Sequence, residues 1–187
     1  MRVNVYIDES GIGRKFGATV YCITVCYNLD ATDLDSKILQ IEKSLRVPPF
    51  HWREHSWTVK TKFLDSILGI EHWSCMTVVI KNDKFNESAV EKLLAKAIQG
   101  LDVDKMYIDG KKPRKYINLV KKSFKNIGIS VSKLKMVRHQ SAGGLRVSDA
   151  VAGLVRLHYD GKSKADAIKF YKRFLNKKIT TQILSGY

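Results

Sequence analysis

The tripeptide Tyr-Ile-Asp occurs twice, each time closing an apolar run. Tyr6-Ile7-Asp8 follows Val3-Asn4-Val5, and Tyr107-Ile108-Asp109 follows Lys105-Met106. A strand alternates its faces with period two, so Tyr and Asp share a face in each copy. If the two strands lie parallel and adjacent, Asp8 and Asp109 stand side by side, since neighbouring strands are roughly 4.8 Å apart. Two carboxylates that close repel unless a proton or a cation sits between them. Mg²⁺ and Mn²⁺, which take oxygen ligands, suit such a place. Aspartate also ends many strands because it starts turns, so the repeat by itself leaves both readings open.

The charge of the chain is unevenly spread. The net charge is +15, yet residues 1–50 hold six basic and six acidic side chains. Between Gly110 and Ser148 there are eleven Lys or Arg and no Asp or Glu, and residues 162–178 add seven basic and one acidic. A block of one sign attracts polyanions, and each phosphate contact releases counterions. Nucleic acid, DNA or RNA, is the expected partner. A solubilising surface, an acidic protein or a membrane surface are the other readings of the same block.

With 187 residues and 44% apolar content, the chain reads as a single domain over residues 1–187 with a core of its own. No apolar run approaches the ~18 residues of a membrane span. The opening Met1-Arg2-Val3-Asn4-Val5 lacks the pattern of a secretory signal, so a cytoplasmic protein is expected. Cys22, Cys26 and Cys75 show no paired-ligand spacing and read as reduced core thiols.

Periodicity predicts strands near residues 3–8, 16–27, 72–80, 104–109 and 129–137, the last with Val131 and Lys133 on one face. Helices are expected from Asp33 to the Pro48-Pro49 stop, after Trp57, from Asn86 to Ile98, from Pro113 to about Gly128 and from Arg146 to Tyr159. A last basic helix begins at about residue 162, with Ser163 as its cap. Ala142-Gly143-Gly144 reads as flexible. Early antiparallel strands followed by strand–helix–strand crossovers make an α/β fold, a mixed five-stranded sheet flanked by helices. Ligands gather outside the carboxyl ends of parallel strands in such sheets.

A third acid is needed to hold hard cations well, and Asp149 is the candidate. It lies among Ser148, Ala150, Ala152 and Gly153, small residues that let a helix approach a sheet closely. It can equally be a first-turn carboxylate favoured by the helix dipole. Glu9 is a possible fourth ligand, although alternation turns it off the Asp8 face while the strand continues. His51, in the aromatic stretch from Phe50 to Trp57, can position water or carry a proton, or it can simply bond within a packed loop. Trp52 and Trp57 are candidates for base stacking or for interior packing. His55, His72, His139 and His158 show no ligand spacing. Arg53, Lys112, Arg114, Lys115 and Arg138 are candidates for phosphate contact or for a solvated surface.

Several of these segments, taken in order, resemble a known family. Asp8-Glu9-Ser10-Gly11, His51-Trp52-Arg53, Tyr107-Ile108-Asp109-Gly110, and Ser141 followed by Leu145-Arg146-Val147-Ser148-Asp149-Ala150 are similar to domain-of-unknown-function family 3800. That family opens on Asp-Glu-Ser-Gly and closes on a Leu-Gln-Leu-Ala-Asp helix. The resemblance runs from residue 3 to about 160. It implies a ribonuclease H-like fold with strands one and four as parallel neighbours. It also implies an acidic cluster of Asp8, Asp109 and Asp149, and metal-dependent nuclease activity. Arg146 stands where the family often has Gln, and Ser148 where it has Ala; a cation at position 146 could reach a phosphate or weaken metal binding.

The expected function is therefore hydrolysis of nucleic-acid phosphodiester bonds with Mg²⁺ or Mn²⁺. Asp8, Asp109 and Asp149, and Glu9 as a fourth, would be the metal ligands, with His51 assisting. The alternative is a basic nucleic-acid-binding protein without turnover. A third reading is an interaction module for an acidic partner.

Overall fold

A computed structural model describes residues 2–27, 31–84, 86–111, 113–126, 128–129, 133–161 and 165–187. Lys112, Ser163 and the Val131 part of the expected fifth strand lie outside the described residues. The strands are β1 (Val3–Ser10), β2 (Ala18–Cys26), β3 (Trp73–Lys81), β4 (Val103–Asp109), β5 (Lys133–Val137) and β6 (Ile179–Ser185). The helices are α1 (Ala31–Leu45), α2 (Trp57–Leu68), α3 (Glu87–Ala97), α4 (Arg114–Asn126), α5 (Gly143–Tyr159) and α6 (Ala165–Lys177).

One sheet runs in the order β5-β4-β1-β2-β3-β6. The β1–β2 and β2–β3 pairs are antiparallel; β1–β4, β4–β5 and β3–β6 are parallel. The sheet is mixed and flanked by helices, as the element order requires, but it has six strands rather than five. The sixth, β6, follows α6 in a segment read from sequence as wholly helical. It lies at the sheet edge with a mostly solvent-facing pattern, so no apolar alternation marks it.

Two interiors separate across the sheet, and the period of two decides which residue enters which. Tyr6, Val20, Cys22, Cys75 and Val79 meet α5 with α1, α2 and α6. Val5, Ile7, Tyr21, Ile23, Val78 and Ile108 meet α3 and α4. The whole of β2 is buried because both its faces are covered. Among the described residues no helix is long and apolar enough to cross a membrane.

The Gly143-Gly144 pair, expected to be flexible, is buried in the first turn of α5. A Cβ on Gly144 would lie 2.3 Å from the Tyr6 ring, and one on Gly153 would lie 2.4 Å from the Trp52 ring. These glycines are contact surfaces on which aromatic rings lie flat against helix backbone. Every residue from Gly143 to Arg156 is buried.

Candidate metal centre and nucleic-acid interface

The site begins with register. Tyr6 pairs with Tyr107 and Ile7 with Ile108 across the parallel β1–β4 ladder. Their next rung brings Asp8 beside Asp109. The two tyrosine rings beneath stack at 5.0 Å with 10° between planes. The repeated tripeptide is thus two adjacent strands in register; Asp109 ends β4, while β1 runs two residues beyond Asp8, paired with β2.

Helix α5 supplies the third acid. The Ser148 hydroxyl lies 3.1 Å from the Tyr6 carbonyl, 2.8 Å from Thr24 Oγ1 and 3.0 Å from the Gly144 carbonyl. This buried knot fixes the helix against β1 and β2, and the next residue, Asp149, faces Asp8. The Asp149 carboxylate is held from its other side by the loop before α2. Its Oδ2 accepts from the Trp52 backbone N–H at 2.6 Å and from His51 Nδ1 at 2.9 Å. The loop is itself fixed by buried Glu42, whose Oε1 accepts from the Phe50 N–H at 2.8 Å.

The charges of these acids act on one another. Burial first, then the charges of Asp149, Asp109 and Glu9, push the Asp8 carboxyl well above the ordinary range, although the Glu9 N–H donates to its Oδ1 at 2.7 Å. His51 is pushed up by its hydrogen bond to Asp149. With the carboxylate accepting at Nδ1, Nε2 is the nitrogen left to take or release a proton. The ring of His139, from the short turn His139–Ser141, stacks on His51 at 4.7 Å.

These groups fit a hard divalent ion by their chemistry. The donors are carboxylate oxygens, and Asp109 Oδ1 is buried without a hydrogen-bond partner among the described residues. A buried carboxylate oxygen normally has one. Among the described residues, no three His, Cys, Asp or Glu side chains are drawn together tightly enough to cage an ion as they stand. Glu9 is half-buried within a strand that continues to Ser10, so alternation starts its side chain on the face opposite Asp8.

Other expected residues sort by position. Arg53, Arg114, Lys115 and Arg138 are all exposed. Arg114 and Lys115 begin α4, just past the end of β4, and Arg138 just follows β5, so these three flank the acidic end of the sheet. Two side chains are engaged in the interior. Trp52 is buried against Gly153, so it packs the interior and offers no face to a base. Arg146 is buried in an ion pair with Glu42 at 2.7 Å and donates to the Gln140 carbonyl at 2.9 Å. It ties α1, α5 and the His139 turn together, so its guanidinium is already engaged.

Sequence reasoning missed His139, Lys60 and Arg156. Lys60 sits over the Trp52 ring at 4.8 Å. Arg156 lies seven residues after Asp149, and that spacing, two helical turns on one face, was the available signal.

Known structures share this architecture. No family model matches the chain, and no curated protein matches it. Ribonuclease HII of Archaeoglobus fulgidus, solved in complex with PCNA, superposes with a TM-score of 0.58 at 14% identity, over 93% of this chain and 89% of that one. Ribonuclease H2 of Pyrococcus horikoshii OT3 gives 0.58 at 14% identity, over 86% of this chain and 74% of that one. Bst-RNase HIII, solved in complex with Mn²⁺, gives 0.56 at 13% identity, over 93% of this chain and 62% of that one. At such identities the likeness defines the fold: the chain is an α/β protein of the ribonuclease H-like class.

Proposed function

We propose that this chain is a metal-dependent nuclease of family 3800, acting in the cytoplasm on phosphodiester bonds of DNA or RNA. One observation carries the reading. Asp109 ends β4, Asp8 stands beside it in the adjacent parallel strand β1, where the β1–β4 ladder ends, and Asp149 is aimed at them by a buried helix. Asp8, Asp109 and Asp149, with Glu9 as the fourth carboxylate, would hold Mg²⁺ or Mn²⁺. When bound, such ions activate water and stabilise the leaving oxygen of an in-line displacement.

The chain's own residues do the rest. Asp149 orients the His51 ring and favours its protonated form, so Nε2 can hand a proton to a departing oxygen. The Trp52 N–H fixes the Asp149 carboxylate so that its aim does not drift. Arg53, Arg114, Lys115 and Arg138 guide the polyanion by charge, with Lys112 in the same basic run. The fold likeness to ribonucleases supports including RNA-containing substrates in any assay.

The test is cleavage of labelled DNA, RNA and RNA–DNA hybrid with Mg²⁺ or Mn²⁺. Wild type is expected to cut at least one of them, and Asp8→Asn to lose at least about 100-fold. Equal rates in both would overturn the assignment. The exposed basic start of α4, a helix with no acidic residue, favours the second reading of binding without turnover. That reading expects salt-sensitive affinity, untouched by metal or by Asp109→Asn, and no products.

A further inference from the structure

Arg156 is 8% exposed, and its Nε and Nη1 are buried without a hydrogen-bond partner among the described residues. A buried guanidinium with idle donors is costly and rarely tolerated without a purpose. Its stem runs beneath the loop that leaves β1: a Cβ on Gly11 would lie 3.0 Å from Arg156 Cδ. Asp160, one turn on, is already engaged. Its Oδ1 accepts from the Ala18 N–H at 2.9 Å, and its Oδ2 lies 3.9 Å from Arg14 Nη1.

More cations surround this guanidinium. Burial first, and then the charge of Arg14, push Arg156 down; Asp160 opposes them and Arg53 adds to them. Lys60 is likewise pushed down by burial, with Asp149 opposing and Arg156 adding. Four cations therefore meet two carboxylates, Asp149 and Asp160, and both carboxylates are bonded to backbone N–H groups. The excess positive charge, with a planar fork of free donors at its buried centre, has the chemistry of a phosphate cradle.

We propose that Arg156, assisted by Lys60, Arg53 and Arg14, is a subsite that grips one backbone phosphate of a nucleic-acid strand, about 10 Å along α5 from Asp149. The subsite would hold a phosphate next to the one being cut, a placement that rests on the nuclease reading. Its grip on the strand does not.

The experiment is binding of a fluorescent single-stranded oligonucleotide in EDTA, measured across a salt series for wild type, Arg156→Gln and Lys60→Gln. Each variant is expected to weaken binding by about tenfold and to flatten the salt slope by roughly one. A set of oligonucleotides carrying one neutral methylphosphonate each should show a position that weakens wild type and leaves Arg156→Gln unaffected. Lys60 is only half-buried, so Lys60→Gln decides the matter if Arg156→Gln does not fold. Unchanged affinity and slope, or equal methylphosphonate losses in every variant, would overturn the subsite. So would competition by inorganic phosphate alone with no oligonucleotide binding, which would assign the cradle to a small phosphate compound. Absence of cleavage with metal would defeat the nuclease reading and leave this binding result standing.

Discussion

The two faces of the sheet are built on opposite rules. On the α3–α4 face the interior is Val, Ile, Leu, Met, Phe and Ala with Tyr21, joined by the uncharged Thr19 and Ser74, and α4 buries only Val120 and Phe124. On the α5 face the interior contains Asp8, Glu42, Arg146, Ser148, Asp149 and Arg156, each buried. The first face is held by area, which is non-directional. The second is held by directional bonds whose partners sit far apart in sequence. A helix that must aim a carboxylate at a strand end cannot slide, and buried polar bonds with glycine–ring contacts prevent sliding where grease would allow it. Positional demand thus explains why one face bears the cost of buried charge.

The largest expected effect that would break this contrast is at Arg146. Arg146→Met leaves Glu42 buried without its ion partner and is expected to cost about 3–5 kcal/mol in denaturant unfolding. A loss below 1 kcal/mol would mean the α5 face is as generic as the other. Next, Gly144→Ala drives a methyl into the Tyr6 ring and should cost about 1–3 kcal/mol. On the opposite side, the exposed Leu119 of α4 should tolerate Leu119→Ala within about 0.5 kcal/mol.

Asp8 sharpens the contrast with the opposite sign. Burial and the neighbouring acids hold its carboxyl well above the usual range. The folded protein keeps a proton there that the unfolded chain releases above about pH 3.9. Its contribution to stability is most favourable below that pH and declines as pH rises toward the folded value. Asp8→Asn should therefore raise the melting temperature of the metal-free protein at pH 7, and the gain should shrink as the pH falls toward about 3.9. Thermal melts in EDTA read this directly, and a destabilised variant would show that Asp8 is a structural carboxylate.

The smallest effect lies away from the site. Burial pushes His158 down, where it stacks on Tyr171 at 4.0 Å. Its neutral form is favoured in the fold, so stability falls slightly as pH drops below about 6.5. His158→Phe should flatten that part of the pH–stability curve.

What could be read in advance follows the range of the forces involved. The Tyr-Ile-Asp repeat revealed β1, β4 and both their acids, because a strand's period is local, although β1 runs on to Ser10 along β2. Asp149 stood out because small residues gather around it. The edge strand β6 did not, since a strand with one neighbour needs little apolar alternation. Arg146 looked available for a phosphate because nothing local announces Glu42, its partner about a hundred residues away. The stacking of His139 on His51 likewise depends on two loops that meet only in the folded chain. The number of strands and the partners of long polar side chains are tertiary facts, and a linear pattern carries little of them.

The central claim is that the ends of β1 and β4 and the middle of α5 form one divalent-ion centre. Anomalous scattering from a crystal soaked in Mn²⁺ tests it most directly. A peak between the carboxylates of Asp8, Asp109 and Asp149 that vanishes in Asp8→Asn is the expected result. Manganese bound only elsewhere, or no peak at those carboxylates at saturating Mn²⁺, would contradict it.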